Sequence, residues 1–204
     1  MVIKTTLEDS LIADLAETFA NLRAYQWKLN LTKCVFGVPS GLLLGFMVGH
    51  RGIEANPAKV DAIRNMHKPS CKKDVMKLTG MMAALGHFIS KLDEKGLPFF
   101  KLLKKVDKFI WDDEAWKVFN KLKDSLTSPP IMTPPVAKET LLLYISATTN
   151  VVSTVLVVER EEVGQPYPVQ RPVYYVSEIL ADAKIRYTQP QKLLYALLIM
   201  SRKL

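Results

Sequence analysis

The chain has 204 residues, of which 49% are apolar and 24% charged, enough for one large domain or two small ones with real cores. No apolar run reaches the roughly 20 residues that a membrane-spanning helix needs, and acidic residues interrupt the amino-terminal pattern where a signal peptide would be apolar. We therefore expect an intracellular protein without membrane contact. Cys34 and Cys71 have neither metal-site nor disulfide-framework spacing, which is typical of a reducing compartment.

The net charge of +8 is distributed unevenly along the chain. Residues 1–58 carry five basic and five acidic side chains, whereas residues 59–124 carry fifteen and nine, and residues 125–204 carry eight and six. The middle third therefore holds most of the positive charge. This distribution indicates either a polyanionic partner or a lysine-rich helical surface in contact with water.

The first predicted elements are a helix and two short strands. Helical spacing of apolar residues predicts a helix that Thr6 caps and that ends near Trp27. Two strand-like runs follow, KCVFGV and LLLGFMVG, separated by the turn signal at residues 39–41. Gly45 lies inside the second run, where glycine indicates either close approach of another backbone or an ordinary bend.

Helices dominate the next part of the chain. Asn56 followed by Pro57 predicts the start of a short helix. Ser70 opens a longer one, in which apolar residues in steps of three and four extend to Leu92. Two more helices are predicted over residues 97–105 and 112–126, and the acids of WDDEAW suit the start of the second.

The proline-rich segment TSPPIMTPP marks the clearest boundary, because four prolines in nine residues cannot continue a helix. Beyond it, TLLLYISATTNVVSTVLVVEREE predicts a β-hairpin and RPVYYVSEIL a third strand. Thr188 with Gln191 three residues later predicts a capping box for a final helix. The carboxy-terminal part is thus a predicted β-β-β-α unit.

One face of the helix that Ser70 opens is a candidate binding surface. Its residues follow each other at helical spacing and combine basic ends with a small-residue middle: Lys73, Lys77, Gly80, Ala84, His87 and Lys91. A nucleic-acid backbone could lie close along such a face. Tight helix packing at the small residues, with lysines in water, explains the same pattern and stays open at this point.

Several classes of catalytic site have no support in the sequence. His50, His67 and His87 have no metal-ligand spacing, which argues against a zinc site. The glycine and serine signatures of serine hydrolases, P-loop nucleotidases and dinucleotide-binding dehydrogenases are missing as well.

Five segments occur in an order and spacing that resemble one known family: LNLTKCVFGV, LLLGFMVGHRGIEANPAKVDAI, LTGMMAALGHFIS, PFFKLLKK and FIWDDEAWKVFNKLKDSLTSPPIM. Together they resemble the pol polyprotein of gypsy-type LTR retrotransposons, especially plant elements. The resemblance implies an α+β fold with a palm-end helix, primer-grip β-hairpins, a helical thumb and a truncated RNase H-like β-β-β-α unit.

The resemblance also implies a layout. Residues 1–56 resemble the end of a reverse-transcriptase palm, with Met1–Lys4 directly after the catalytic Tyr-x-Asp-Asp motif. Leu44, Gly45 and Phe46 fall at the primer grip, where the family more often has Phe-Leu-Gly-His. Residues 57–107 resemble the thumb, 108–135 the tether and 136–204 part of an RNase H-like domain. On this view Lys73, Lys77, Gly80, His87 and Lys91 would contact a nucleic-acid duplex.

Catalysis is not expected from the RNase H-like part. In the family, carboxylates hold two Mg²⁺ ions, because hard cations require anionic oxygen ligands. The first carboxylate position falls at Ser146 and the helix glutamate at Leu193, neither of which can hold a dication. The parent polymerase would use Mg²⁺ at palm aspartates that this chain lacks, so we expect no cofactor here.

The sequence-based hypothesis is therefore a reverse-transcriptase fragment that binds an RNA/DNA or DNA duplex without sequence preference, next to the remainder of the polyprotein. Its RNase H-like part would be an inactive connection. The alternative is a non-catalytic interaction protein, or a genomic relic without molecular function, in which the basic helices are only a solvated surface.

Overall fold

A computed structural model describes residues 3, 5, 8–104 and 109–203 of the chain. The predicted cap Thr6, and Met1–Lys4 apart from Ile3, lie outside these residues. Within them, helices combine with two antiparallel three-stranded sheets, so the predicted α+β class is confirmed. None of the described helices has the length and apolarity needed to cross a bilayer.

The amino-terminal half contains one sheet and most of the helices. A 3₁₀ turn leads into the first helix, and the sheet has the order β1-β2-β3. The elements in chain order are α1 (Leu11–Ala24), β1 (Ser40–Leu43), β2 (Phe46–Gly49), β3 (Gly52–Ala55), α2 (Pro57–Arg64), α3 (Lys72–Ala84), α4 (Leu92–Lys104) and α5 (Asp113–Ser125).

The predicted strands of this half are partly wrong. The run KCVFGV is no strand: residues 31–33 form a 3₁₀ turn and residues 34–38 have no regular structure. LLLGFMVG is two strands rather than one, because Leu44 and Gly45 have φ of +48° and +85° and turn the chain back on itself. Two consecutive left-handed residues are what a tight two-residue hairpin requires. A third strand, β3, then pairs with β2 and was not predicted.

Local capping signals start α2 and α5 where the sequence predicts them, whereas the helix predicted from Ser70 to Leu92 ends at Ala84 and the one predicted over residues 97–105 begins at Leu92. The Asn56 side chain accepts a hydrogen bond from the Ala58 N–H at 3.0 Å, with Pro57 in the first turn. Asp112 accepts one from the Ala115 N–H at 2.9 Å, so the acids of WDDEAW belong to a helix start as predicted. The apolar faces of α2 to α5 meet in one core, which includes Ile63, Val75, Leu78, Phe99, Phe119 and Leu122.

The carboxy-terminal part is the predicted β-β-β-α unit. Its sheet has the order β4-β5-β6, and the last helix packs on β4 and β5 through a second core. Thr188 and Gln191 form the predicted capping box at the start of this helix. The elements are β4 (Leu141–Ala147), β5 (Val151–Arg160), β6 (Val169–Ile179) and α6 (Gln189–Ser201).

The tether joins the two sheets through its backbone. The N–H groups of Ile53 and Met132 each donate to the carbonyl of the other at 2.8 Å, which extends the first sheet beyond β3. The next residue, Thr133, donates its N–H to the Pro172 carbonyl of β6 at 2.8 Å. Met132 and Thr133 are both buried. Two consecutive tether residues therefore bond to opposite partners and fix the sheets relative to each other.

An ion pair fixes the tether where it enters the second sheet. The Arg160 guanidinium donates from Nε and Nη2 to the two carboxylate oxygens of Glu139, at 2.7 and 2.8 Å. The Val136 N–H donates to the same carboxylate at 2.7 Å. The hydrogen bonds from Arg160, followed by the one from Val136, lower the pKa of Glu139 to about 2. Glu139 therefore stays ionised, and the bidentate geometry sets the path of the chain into β4.

Gly52→Ala tests the connection between tether and sheet. Gly52 has φ of +132°, and a Cβ there would lie 2.3 Å from the Met132 carbonyl oxygen. We expect the variant to lose about 3 kcal/mol in free energy of unfolding, because the tether must move and backbone strain is added. Urea denaturation measures this loss.

Gly164→Ala is the matched control, since Gly164 has φ of +87° but nothing within 4 Å of its would-be Cβ. It should cost only the backbone strain, about 1 kcal/mol. Equal losses of unfolding free energy in the two variants would show that contact with the tether adds nothing to the destabilisation caused by Gly52→Ala.

Candidate nucleic-acid interface

The exposed face of α3 retains half of the predicted basic stripe. The helix buries Val75, Leu78 and Met82, and the opposite side presents Lys73, Lys77 and Gly80 to solvent. The two lysines have no ion-pair partner among the described residues. Their charges are therefore available to an external polyanion.

Gly80 stands in open space. A Cβ built on it meets no atom within 4 Å, so packing within the described part of the chain does not require glycine there. Contacts with the described residues therefore do not explain a glycine at this position. A small residue one turn after the exposed Lys77 leaves the helix backbone open to close approach from outside.

The predicted stripe does not continue to residue 91. The α-helix ends at Ala84, a 3₁₀ turn follows over Gly86–Phe88, and Lys91 has φ of +53° before α4 begins. The chain reverses here so that α4 can pack against α3, and Gly86 offers little support for a continuous helix. The prediction that His87 and Lys91 share the helix face of Lys73 is wrong.

His87 contacts other parts of the chain instead. Its ring centroid lies 5.8 Å from that of Phe46 on β2 and 5.1 Å from that of Tyr174 on β6. The imidazole therefore packs between the hairpin and the carboxy-terminal sheet. Lys91 forms a long ion pair with Glu94, 3.8 Å between Nζ and Oε2. Both residues have roles within the chain that sequence spacing does not indicate.

The three predicted primer-grip residues have different roles in the β1–β2 hairpin. Leu44 stands at the tip with 88% of its side chain exposed. Phe46 packs toward the core against Phe88, and the Lys59 ammonium lies 5.9 Å from its ring centroid. A Cβ at Gly45 would lie 3.0 Å from that same ammonium. The tip therefore offers Leu44 to a partner, while Phe46 anchors the hairpin.

Ser146 and Leu193 do not form a site together. Ala147 packs into the core under α6, so the side chain of its neighbour Ser146 lies on the opposite face of the sheet. Ser146 pairs in register with Ser153, whose hydroxyl lies 3.4 Å from that of Ser177. Leu193 belongs to α6, on the other side. Among the residues that the structure describes, no group of three or more His, Cys, Asp or Glu side chains is arranged to hold a metal ion.

A buried lysine stands next to this strand end, and the sequence-based prediction missed it. Lys192 on α6 is only 6% exposed, and its ammonium donates to the Thr149 carbonyl at 2.8 Å. Gln189 donates to the Ala147 carbonyl at 3.0 Å. Together they fasten the turn after β4 to the start of α6. The sequence feature that could have indicated this contact is a lysine at an inward-facing position of an apolar helix.

Comparison with known sequences finds one matching family model and similar transposon polyproteins. Residues 111–204 match the family model of the RNase H-like domain found in reverse transcriptase. The Tf2-3 and Tf2-4 transposon polyproteins of Schizosaccharomyces pombe are each 22% identical to the chain over 198 residues, which cover 97% of it. The chain spans 14% of the length of these relatives.

Solved structures show the same fold. The foamy viral protease-reverse transcriptase in complex with RNA/DNA hybrid matches with a TM-score of 0.80 and 17% identity, over 98% of this chain and 27% of that one. A foamy viral protease-reverse transcriptase dRH form in complex with double-stranded DNA matches with a TM-score of 0.78 and 18% identity, over 99% and 35%. The chain is thus similar in sequence to retrotransposon polyproteins and in fold to a foamy viral protease-reverse transcriptase, and its residues 111–204 match the RNase H-like domain found in reverse transcriptase.

Gly80→Ala tests whether this helix face is free. We expect the free energy of unfolding to rise by about 0.5–1 kcal/mol, because alanine is the better helix former and its methyl group meets open space. The matched control is Gly96→Ala in α4, where a Cβ would lie 2.8 Å from Phe100. A loss of stability at position 80 would indicate that some part of the chain packs there.

Proposed function

We propose that this chain is the duplex-binding part of a reverse transcriptase from a gypsy-type LTR retrotransposon of plant type. In this proposal it holds an RNA/DNA or DNA duplex without sequence preference. The observation that carries the proposal is the open face of α3, with unpaired Lys73 and Lys77 next to Gly80. The gypsy-type and plant assignments rest on the ordered motifs of the sequence.

Physical chemistry supports a duplex as the ligand of this face. Lysines contact phosphates as point charges and release condensed counterions, which gives affinity without reading the bases. A glycine that follows the two lysines on the same helix face lets a sugar-phosphate backbone approach closely. The solved neighbours in this fold include complexes with RNA/DNA hybrid and with double-stranded DNA. On this proposal Leu44 and Gly45 at the hairpin tip contact the same duplex as Lys73 and Lys77.

The proposed domain boundaries follow from these roles. Residues 1–56 end a palm and carry the hairpin, residues 57–107 form a thumb and residues 108–135 a tether. Residues 136–204 form an RNase H-like connection that positions the rest. In this proposal His87 supports the hairpin from within the chain rather than touching the duplex, because its ring packs on Phe46 and Tyr174. Lys91 stays a predicted duplex contact on a different surface from Lys73.

The remainder of the polyprotein is the proposed protein partner. Leu194, Leu197 and Leu198 on α6 are exposed, although α6 packs its other side on the sheet. The described strands pair with β4 along one edge only, through β5. An open strand edge beside exposed leucines is suited to further strands and helices. This observation also favours the alternative of a non-catalytic interaction protein.

Replacing the two lysines tests duplex binding. We expect Lys73→Gln with Lys77→Gln to weaken binding to a blunt RNA/DNA hybrid and to reduce the slope of log affinity against log salt by about 2. Fluorescence anisotropy at several salt concentrations measures both. The control is Lys28→Gln with Lys33→Gln, which removes the same charge from exposed positions elsewhere.

An unchanged slope in the Lys73 and Lys77 variant, or an equal loss in the control, would contradict the proposed interface. In that case the interaction-protein alternative explains the basic helices as a solvated surface. Binding to hybrids of unrelated sequence should be equally tight, because phosphate contacts carry no base information.

We expect no Mg²⁺-dependent primer extension or RNA cleavage by the purified chain. Ser146 and Leu193 supply neither of the carboxylates that a two-metal site would need at these positions, and the two lie on different sides of the sheet. Extension and cleavage assays with Mg²⁺ and with Mn²⁺, on the hybrid used for binding, measure both activities. Robust Mg²⁺-dependent turnover by the purified chain that falls in the Lys73→Gln with Lys77→Gln variant would overturn this expectation, because a contaminating enzyme would not depend on these lysines.

A further inference from the structure

The connector between α2 and α3, residues 65–71, lies in the most basic stretch of the chain. Residues 64–77 contain five basic side chains and one acidic one, Asp74. Asp74 accepts hydrogen bonds from the N–H and the hydroxyl of Ser70, each at 2.9 Å. The one carboxylate of this stretch is therefore bonded to the start of α3, and the basic side chains of residues 64–77 outnumber it five to one.

The connector is held against α5. The Lys123 ammonium on α5 donates to the Met66 carbonyl at 2.5 Å, and Pro69 is buried. Between these two anchors lies Lys68, which is exposed, with its Nζ 5.9 Å from the ring centroid of Trp116. The backbone on both sides of Lys68 is thus fixed, and its ammonium stays close to the indole.

Trp116 is a large aromatic side chain left partly open. Its neighbours Ala115 and Phe119 point into the core, whereas the indole is 42% exposed at the border of the helix face. One side of the ring packs on Phe119, with centroids 6.1 Å apart at an angle of 41°. The ring is therefore held in place by Phe119, and the rest of it is partly accessible beside the Lys68 ammonium.

A fixed, accessible indole beside lysines has the composition of a site for unpaired nucleotides. Every base offers a flat face that stacks on an aromatic ring, and adjacent phosphates bind cations, so this recognition tolerates any sequence. A base in a duplex is already stacked on its neighbours and cannot offer that face. The ligand that fits is a single strand rather than a double helix.

The position of this site relative to α3 supports the same ligand. Lys73 lies in the first turn of α3, directly after the connector. A strand that leaves a duplex bound along the exposed face of α3 at this end passes Lys68 and then Trp116. We infer that Trp116 and Lys68 form a stacking site for an unpaired nucleotide of a single-stranded overhang. This inference rests on the duplex binding proposed above.

The experiment compares three substrates by fluorescence anisotropy: a blunt RNA/DNA hybrid, the same hybrid with a thymidine overhang, and the same with an abasic overhang. The thymidine overhang should raise the affinity of the full chain roughly tenfold over the blunt hybrid, and the abasic overhang should raise it much less. Trp116→Ala should abolish the gain from thymidines and leave blunt-hybrid affinity unchanged. Trp116→Phe should retain most of the gain, because a ring remains.

Trp27→Ala is the matched control, since Trp27 is also exposed but lies far along the chain on the segment after α1. It should leave all three affinities as they are. Tight blunt-hybrid binding with no gain from thymidines, or a gain that Trp116→Ala retains, overturns the inference alone. An equal gain from the abasic overhang overturns it too, because charge then suffices. Absence of binding to every substrate overturns both this inference and the proposed function.

Discussion

The pairing of the tether with both sheets is the constraint on which the rest of the structure depends. Met132 exchanges two backbone hydrogen bonds with Ile53, and Thr133 bonds to Pro172 on the second sheet. Both tether residues are buried, where an unpaired peptide group is costly. The segment therefore cannot shift toward one sheet without breaking its bonds to the other. Gly52 permits the contact, because any side chain there would enter the space of the tether.

This constraint places the candidate interface. With the first sheet held to the second, the hairpin packs through Phe46 against His87, and His87 in turn packs against Tyr174. The helices fill the space behind the hairpin and present the lysines of α3 outward. The carboxy-terminal sheet thus has a mechanical role even though Ser146 and Leu193 supply no ligands for a metal ion.

Sequence alone predicts those features that depend on a few neighbouring residues. The caps at Asn56 and Asp112 and the capping box at Thr188 are local hydrogen bonds, and all are present. The end of α3 depends instead on the packing of α4 against it. Periodic spacing carries no information about that packing, so the predicted stripe from Lys73 extends beyond the end of the helix. The split of one apparent strand into β1 and β2 depends on left-handed conformations at Leu44 and its neighbour.

The candidate nucleic-acid interface also combines features that the local sequence predicts with features that it does not. Exposure of Lys73 and Lys77 follows from the helical pattern, and the sequence predicts it. The contacts of His87 and of the buried Lys192 join residues far apart in the chain, and no local pattern indicates either one. The proximity of Lys68 to Trp116 is of this kind as well. The two residues are about fifty positions apart in sequence, and the packing of the core brings them together.

Amide hydrogen exchange of the full chain, with and without a blunt RNA/DNA hybrid, tests the central claim most directly. The account predicts slower exchange on binding in α3 and at the hairpin tip around Leu44, while α6 is unaffected. Protection confined to α6 or to the second sheet, with α3 unchanged, would contradict it.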